Sequence, residues 1–301
     1  MRKFIRDILN RFGYDIVKTG IPYIPKTKGE GSVLIGKYLV QMPGNNLQLG
    51  NYKIYPELNR QLGRLASRIF QKYPGMTVID VGANVGDTIA ILKSAVDVPV
   101  IGIEGDDISY SYLEKNIKQF SNVHVVKTFL GEKTQDVKAS MDKIGWNNTI
   151  IPDADGVQQI SFKTLDDVIT SGGFGNAEIK LLKVDVEGFD TIVLRGASEI
   201  IQKQKPVVFF EYNRKSMKLI NEEGLPTILS FDKLGYTKII FFDHKGTLVL
   251  ATDIQNTEVI SHLHNYISSE KNLLAYYDIC LFHRDDAEIA RAFLAEESTY
   301  L

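Results

Sequence analysis

The feature that most constrains the fold is an alternation of short apolar strands and amphipathic helices through the middle of the chain. Five segments have the apolar or β-branched character of buried strands: residues 77–81, 98–104, 123–127, 179–186 and 206–211. Apolar residues recur at helical spacing in three of the intervening segments: residues 87–94, 108–120 and 191–202. This alternation predicts an α/β fold with a mostly parallel sheet, helices on both faces and right-handed crossovers.

Both ends of the chain depart from this alternation. Three C-terminal segments are predicted strands that give the sheet an antiparallel end: residues 236–243, 247–251 and 276–283. A helix is predicted over residues 62–70, and residues 1–19 predict a basic amphipathic helix. Residues 20–55, rich in Gly, Pro, Tyr and Asn, predict loops with short strands, in a position to cover an active site. We therefore expect an N-terminal extension at residues 1–58 and an α/β domain at residues 59–301.

The composition excludes several classes of protein. Of the 301 residues, 44% are apolar and 24% charged, as in ordinary globular domains. The formal net charge of −2 provides no basic surface for nucleic acid, so we expect no such partner. The lone Cys280 excludes an internal disulfide or a multi-cysteine zinc site, and we expect a buried, inert thiol.

The hydropathy pattern bears on location. No apolar run approaches the roughly 20 residues that span a bilayer, and the N-terminus lacks a signal-peptide core. We expect a cytoplasmic protein. The N-terminal helix is expected to dock on the main domain; the alternative is contact with a partner or with the inner face of the membrane.

The turn after the first strand, residues 78–88 (VIDVGANVGDT), restricts which ligand the sheet can hold. A dinucleotide fingerprint GxGxxG beginning at Gly82 requires glycines where this chain has Asn84 and Asp87. Asp80 and Asp87 also place negative charge where a pyrophosphate needs amides and the positive end of a helix dipole. The sequence therefore disfavours NAD.

S-adenosylmethionine has the opposite requirement, because it carries an ammonium and a sulfonium group and no phosphate. Gly82 and Gly86 let the backbone approach such a ligand without Cβ collisions, and Asp80 is placed to accept a hydrogen bond from its amino-acid end, directly or through water. The alternative is a tight strand-to-helix connection that binds no ligand.

The ends of the second and third strands supply further candidates. Glu104 ends the second strand beside the first turn, where its two oxygens are expected to bind both ribose hydroxyls. The third strand is expected to end near Leu130, Gly131 and Glu132, and these three residues are expected to flank the adenine. The alternative for Glu104 is a solvated strand end.

Several motifs resemble a known family. They are VIDVGANVGDT (78–88), IGIEGD with LEKNI (101–117), TLDDVI (164–169), LLKVDVEGFDTIVLRGA (181–197) and PVVFFEYN (206–213). In these motifs, which lie between about residues 60 and 240, the chain resembles the FkbM-type S-adenosylmethionine-dependent methyltransferases. The resemblance implies a Rossmann-like class I methyltransferase fold and methylation of hydroxyl groups on sugars, polysaccharides or polyketide products.

The resemblance also implies residue roles. Asp80, Gly82, Asn84 and Gly86 are expected to hold the methionine part of the cofactor, and Glu104 the ribose. The complete set of expected cofactor-binding residues is Asp80, Gly82, Ala83, Asn84, Gly86, Thr88, Glu104, Gly105, Gly131 and Glu132. Family members often have Glu-Pro after the second strand, whereas this chain has Glu-Gly-Asp at 104–106, which leaves contacts beyond the ribose undefined.

Carboxylates near the ends of the fourth and fifth strands are candidates for the chemistry. Methyl transfer depends mainly on positioning, but a sugar hydroxyl is a poor nucleophile while it keeps its proton. Asp185, Glu187 and Glu211 lie at the sheet edge where open α/β sheets bind ligands, and we expect them to be catalytic. The alternative for Asp185 and Glu187 is capping of the next helix, for which Asp190 is the better candidate.

Basic residues are assigned no role in the chemistry. Lys183 is expected to face solvent, and the five histidines to be structural or exposed. His262 and His264 lack a third ligand at metal-binding spacing, so no metal site is assigned and dependence on a divalent metal stays open.

The sequence thus predicts an O-methyltransferase that acts on a hydroxyl of a saccharide or glycan precursor. Contact of its N-terminal helix with a membrane surface or a glycan-assembly partner is the alternative to docking on the main domain. The alternatives are a scaffold or carbohydrate-binding partner without turnover and, less favoured, an NAD-dependent oxidoreductase. The acceptor, the general base and the oligomeric state are not specified by any recognisable pattern.

Overall fold

The computed structural model describes residues 29–144, 147–152, 156 and 158–300. The helix predicted for residues 1–19 lies outside the described residues, and its docking or membrane contact stays a prediction. Across the described ranges, no helix is long and apolar enough to cross a membrane.

The secondary structure follows the alternation predicted from the sequence. The strands are β1 (Glu30–Ile35), β2 (Tyr38–Pro43), β3 (Thr77–Val81), β4 (Val100–Glu104), β5 (Val123–Lys127), β6 (Phe129–Leu130), β7 (Gln135–Ile144), β8 (Asn147–Pro152), β9 (Gln158–Lys163), β10 (Ile179–Val184), β11 (Val207–Tyr212), β12 (Tyr236–Asp243), β13 (Leu248–Asp253) and β14 (Tyr277–His283). The α-helices are α1 (Leu47–Ile54), α2 (Arg60–Lys72), α3 (Asp87–Ala95), α4 (Asp107–Asn116), α5 (Leu165–Ser171), α6 (Asp190–Arg195), α7 (Ser198–Gln204), α8 (Arg214–Leu219), α9 (Leu225–Ser230), α10 (Thr257–Ser268) and α11 (Ala287–Glu297). Short 3₁₀ helices occupy Ile117–Gln119, Phe231–Leu234, Arg284–Asp286 and Ser298–Tyr300.

The main sheet has the strand order β13-β12-β14-β11-β10-β3-β4-β5. From β11 to β5, each strand is parallel to its neighbours. β14 lies antiparallel between β11 and β12, and β13 pairs antiparallel with β12. The prediction of a mostly parallel sheet with an antiparallel C-terminal end is confirmed.

Both faces of this sheet are covered, because successive residues of each strand point into different cores. In β3, Val78 packs in a core with residues of α2, α3 and α11, whereas Ile79 packs in a core with residues of α5, α6, α7, α9 and α10. Cys280 of β14 is buried in the first of these cores, as expected for an inert thiol. The fold therefore leaves the ends of the strands as the place for a ligand.

The segment before the main sheet packs on α3. The β1-β2 hairpin and α1 contribute Val33, Val40 and Leu49 to an apolar cluster that includes Ile91 of α3. This packing places α1 beside the turn that follows β3.

A second sheet, with the order β6-β9-β7-β8, differs from the prediction. The third strand of the main sheet was expected to continue to about residue 130, but β5 ends at Lys127, and Phe129 and Leu130 pair with β9 instead. The alternation of buried Ile160 and Phe162 with exposed neighbours in β9 is the sequence signal for this sheet.

The helices also differ from the prediction in detail. The helix expected over residues 191–202 is divided into α6 and α7 at Gly196, where a Cβ atom would lie 2.1 Å from the carbonyl oxygen of Gly131. The close approach of these two backbones accounts for the break. α10 and α11 in the C-terminal part were not predicted.

Candidate active site

The turn between β3 and α3 forms one wall of the site and has left-handed backbone at Gly82, Asn84 and Gly86, with φ of 73°, 47° and 87°. A Cβ atom on Gly82 would lie 1.8 Å from the carbonyl oxygen of Asp185. Gly82 is thus required because the loop after β10 touches this turn, a reason in addition to the ligand approach that the sequence suggested.

Glu104 joins the end of β4 to this turn. Its Oε2 accepts a hydrogen bond from the backbone N–H of Asn84 at 2.8 Å, and its Oε1 accepts one from the N–H of Asp106 at 2.8 Å. Burial raises the pKa of Glu104 to about 7, although these backbone donors lower it. The carboxyl group therefore sits at the edge of the first turn, as predicted.

A cavity of about 160 Å³ opens at the carboxyl ends of β3 and β4. Its lining residues are Gln48, Val81, Gly82, Asn84, Ile103, Glu104, Gly105, Asp106, Ser109, Thr128, Phe129, Leu130, Ile150, Phe162, Asp185, Val186, Glu187 and Phe189. The structure thus brings six of the expected site residues together: Gly82, Asn84, Glu104, Gly105, Asp185 and Glu187. Gln48 of α1 comes from the segment predicted to cover the site.

Other expected site residues lie outside this lining. Ala83, Gly86 and Thr88 belong to the turn and the start of α3 and do not line the cavity. Gly131 and Glu132 were placed beside the adenine because β5 was expected to reach them. β5 ends earlier, and Glu132 forms an ion pair with Arg195 at 2.8 Å, so we correct the placement of both residues.

The second sheet provides an apolar wall that sequence reasoning missed. Phe129, Ile150 and Phe162 line the cavity from β6, β8 and β9, and Phe189 joins them from the loop after β10. The rings of Phe162 and Phe189 are stacked, with centroids 5.7 Å apart. One side of the cavity is therefore aromatic and the other carries carboxylates.

Lys183 does not face solvent, which corrects the prediction. Its side chain is 6% exposed, and its Nζ lies 3.0 Å from Asp80 Oδ1 and 3.6 Å from Asp185 Oδ2. Nζ also donates a hydrogen bond to the carbonyl oxygen of Gly82 at 3.2 Å. A lysine next to the carboxyl end of a predicted central strand was the available signal, because β10 lies between β3 and β11 and both faces of the sheet are covered.

Asp80 is completely buried and does not line the cavity, and its Oδ1 lies 3.0 Å from the Nζ of Lys183. A hydrogen bond from Asp80 to the amino-acid end of the cofactor, directly or through water, stays a prediction. Burial raises the pKa of Asp80 to about 6, and the ammonium of Lys183 opposes this shift. Asp87 is also buried, and its Oδ2 accepts a hydrogen bond from the Tyr52 hydroxyl at 3.0 Å.

The loop after β10 is held by Asp190. Its carboxylate oxygens accept hydrogen bonds from the N–H of Val186 at 3.2 Å and of Gly188 at 3.1 Å. α6 begins after Phe189 and has no side-chain cap, so Asp185 and Glu187 do not cap it. Glu187 has left-handed backbone, with φ of 52°, and both acids face the cavity.

Glu211 lies outside the cavity lining, in a buried pair of carboxyl groups. It is 7% exposed, and the register of β11 and β14 places it directly opposite Asp278, which is 8% exposed. Burial raises the pKa of Glu211 well above its ordinary value, and the charges of Asp185 and Glu187 raise it further. Burial and the charge of Asp185 likewise raise the pKa of Asp278.

Whether the histidines of the described residues could bind a metal depends on their surroundings in the fold. His264 Nδ1 lies 2.8 Å from the Tyr212 hydroxyl, and His283 is buried, whereas His262 is exposed. Within the part of the chain that the structure describes, no three His, Cys, Asp or Glu side chains are grouped to hold a metal ion.

The buried pair leads to a prediction about stability. A carboxyl group whose pKa is raised by folding stabilises the protein fully below its unfolded pKa, and this stabilisation is lost as pH rises through the folded pKa. Above its folded pKa, a buried carboxyl group must ionise inside the protein, which lowers the free energy of unfolding. We expect Asp278→Asn to remove this cost of ionisation and to raise the free energy of unfolding at pH 8 by at least about 1 kcal/mol, with little change near pH 4.

Urea denaturation of the wild type and the variant at both pH values measures this difference. Asp136→Asn, which changes an exposed aspartate of β7, is the control and is expected to have no pH-dependent effect. Equal destabilisation by Asp278→Asn at both pH values would show that Asp278 does not carry this cost.

The sheet order, with β14 antiparallel between β11 and β12, and the acidic residues at the ends of β3 and β4 define the Rossmann-like class I methyltransferase fold. A family model described as the methyltransferase FkbM domain matches residues 80–237, just over half of the chain. The protein therefore belongs to the FkbM methyltransferase family. This confirms the family and the class of enzyme, an S-adenosylmethionine-dependent methyltransferase, predicted from the sequence.

Several solved structures align with this chain at low identity. The FkbM methyltransferase from Methylobacillus flagellatus KT has 16% identity and a TM-score of 0.42, over 76% of this chain and 50% of that chain. The precorrin-6y C5,15-methyltransferase from Geobacter metallireducens GS-15 has 7% identity and a TM-score of 0.38, over 73% and 87%. The plantazolicin methyltransferase BamL, solved with a triazolic desmethylPZN analog and SAH, has 11% identity and a TM-score of 0.37, over 77% and 87%.

This chain thus spans half the length of the Methylobacillus flagellatus protein. Among curated proteins, none matches the sequence.

Proposed function

We propose that this protein is an O-methyltransferase that uses S-adenosylmethionine to methylate a hydroxyl group of a saccharide or glycan precursor. The observation that carries the proposal is that Asp185 and Glu187 line the same cavity as Asn84 and Glu104. Groups suited to the cofactor and groups suited to a hydroxyl acceptor therefore share one cavity.

The residues of the cavity fit this cofactor. Asn84 Oδ1 is buried, and no described group donates a hydrogen bond to it, which suits an ammonium donor. Each oxygen of Glu104 accepts one backbone hydrogen bond and has a second lone pair for a ribose hydroxyl. Phe129 and Ile150 offer an apolar surface of the kind that an adenine ring requires.

The chemistry assigned to the protein's own residues is positioning and proton removal. The cofactor supplies a methyl group on a positively charged sulfur. Asp185 is 43% exposed and lines the cavity, so we assign it the role of accepting the proton of the acceptor hydroxyl. Glu211 does not line the cavity, and burial raises its pKa well above the ordinary value, so it is the weaker candidate.

The choice of acceptor follows from charge. Asp185 and Glu187 are hydrogen-bond acceptors that suit the hydroxyl groups of a neutral sugar, and they would repel a phosphate or a carboxylate placed between them. This agrees with the saccharide acceptors that the resemblance to the family implied.

Two measurements test the proposal. Titration calorimetry is expected to show binding of S-adenosylmethionine and S-adenosylhomocysteine but not of NAD. Mass spectrometry of glycans from cells with and without the protein is expected to show a difference of one methyl group. Binding of NAD in preference to S-adenosylhomocysteine would favour the oxidoreductase instead.

Glu104 provides a prediction for cofactor affinity. We expect Glu104→Ala to weaken S-adenosylhomocysteine binding by about 1–3 kcal/mol, because hydrogen bonds to a charged group are lost. Titration calorimetry measures the change, with Glu114→Ala, an exposed glutamate of α4, as the matched control. An unchanged affinity in the Glu104 variant rejects its assignment to the ribose.

A further inference from the structure

We propose that Lys183 is a positioning residue that fixes the turn after β3 against the loop after β10, and so sets the width of the cofactor cavity. The inference rests on the proposed cofactor. Lys183 itself does not line the cavity, whereas Gly82 and Asp185 on either side of it do. Its effect on a ligand is therefore exerted through these neighbours.

The contacts of Nζ join three parts of the chain. Its distances are 3.0 Å to Asp80 Oδ1 in β3, 3.2 Å to the carbonyl oxygen of Gly82 in the turn and 3.6 Å to Asp185 Oδ2 after β10. Nζ also donates to the carbonyl oxygen of Val81 at 3.5 Å, and its contact with Asp185 is an ion pair. An ammonium group has three donors and no acceptor, so it is suited to a site lined by carbonyl and carboxylate oxygens. No uncharged side chain of similar length supplies three donors from one atom.

The turn after β3 and the loop after β10 lie so close together that the contacts of Lys183 affect the distance between them. The backbone at Gly82 comes so near to the carbonyl of Asp185 that a Cβ atom there would lie 1.8 Å away. The Asp185 carboxylate and the Gly82 carbonyl would face each other across this approach without a cation between them. Removal of the ammonium is thus expected to separate two walls of the cavity.

Four carboxyl groups surround this ammonium. They are Asp80 from β3, Asp87 from the start of α3, Asp185 after β10 and Asp278 from β14. Burial lowers the pKa of Lys183, but the charges of Asp80, Asp185 and Asp87 outweigh burial and raise it. Burial and the charge of Asp185 raise the pKa of Asp278, and Lys183 opposes this shift. Lys183 therefore has two separable effects, compensation of buried negative charge and placement of the loops.

A charge-matched pair of variants separates these effects. Asp80→Asn keeps the lysine and its contacts to Gly82 and Asp185. The double variant Lys183→Met with Asp80→Asn removes one positive and one negative charge, so no isolated charge replaces the buried pair. We expect the double variant to bind S-adenosylhomocysteine at least about tenfold more weakly than Asp80→Asn, because only the double variant loses the donors to the loops.

The variant Lys183→Arg is an independent test of the positioning role, because it keeps the positive charge but replaces a compact ammonium with a planar guanidinium group. We expect it to retain the thermal unfolding midpoint to within a few degrees, while cofactor affinity falls about tenfold. Lys180→Met is the matched control: Lys180 lies on the same strand, half-buried, and donates to the carbonyl oxygen of Gln204. This variant is expected to bind like the wild type.

Calorimetry with S-adenosylhomocysteine and thermal unfolding of the full chain measure these outcomes. Equal affinities in Asp80→Asn and the double variant, with wild-type affinity in Lys183→Arg, would overturn the positioning role and leave charge compensation alone. A wild-type protein that does not bind S-adenosylhomocysteine would overturn the proposed function itself, so the two failures are distinguishable.

Discussion

Gly82→Ala is expected to abolish cofactor binding and to lower turnover by more than about 100-fold. The new Cβ atom would lie 1.8 Å from the carbonyl oxygen of Asp185, far inside any van der Waals contact. The oxygen belongs to the backbone, so the collision is relieved only if the turn after β3 and the loop after β10 move apart. Both loops line the cavity, and their displacement removes the site.

The matched control is Gly173→Ala. Gly173 has φ of 78°, close to the 73° of Gly82, but no atom lies within 4 Å of the position of its Cβ. It therefore has the backbone cost of a left-handed alanine, about 1–2 kcal/mol, without the collision. We expect this variant to lose some thermal stability and to bind S-adenosylhomocysteine as the wild type does. Equal loss of binding in both variants would assign the effect to backbone strain alone.

Much of the main sheet could be predicted because its signals are local. β3 is found at the predicted residues, 77–81, and β4, β10 and β11 lie within the predicted segments or one residue beyond them. Strands buried on both faces are continuous apolar runs, and turns rich in glycine separate them from helices. Helix α6 was extended too far, because the break at Gly196 depends on contact with Gly131, which is distant in sequence.

The second sheet was missed because its strands do not resemble the buried strands of the main sheet. β9 buries Ile160 and Phe162 on one face only, and its pairing with β6 and β7 joins residues 19 to 33 positions apart. The third strand of the main sheet was therefore predicted to continue beyond Lys127, into residues that belong to the second sheet. The error extended the expected adenine contacts to Gly131 and Glu132, which do not line the cavity, whereas the expected contact Leu130 does, together with Phe129 and Phe162.

The acidic residues of the site were predictable because carboxyl ends of parallel strands meet at one edge of the sheet. Glu104 and Asp185 follow β4 and β10, and both line the cavity. The roles of Asp80 and Lys183 were not predictable in this way. They depend on the register in which Lys183 lies opposite Asp80 across β10 and β3, and no spacing within the sequence specifies that register.

Asp185→Asn is the second variant for which we expect a large effect. The amide keeps the size of the side chain and an oxygen that accepts from Lys183, but it cannot take a proton from an acceptor hydroxyl. We expect kcat to fall by about 100- to 10,000-fold, the range for loss of a general base. Cofactor affinity is expected to stay within about threefold of the wild type, because the loss concerns the transition state.

Methyl transfer to a saccharide acceptor and calorimetry with S-adenosylhomocysteine separate these two quantities. Asp253→Asn is the control, because Asp253 also pairs with a lysine, Lys238 at 2.7 Å, but lies on β13 at the far edge of the sheet. A variant at Asp185 that turns over normally, together with a Glu187→Gln variant that does not, would assign the proton transfer to Glu187. Loss of cofactor binding in Asp185→Asn would instead assign Asp185 to the cofactor, because general base catalysis alone does not alter the affinity for S-adenosylhomocysteine.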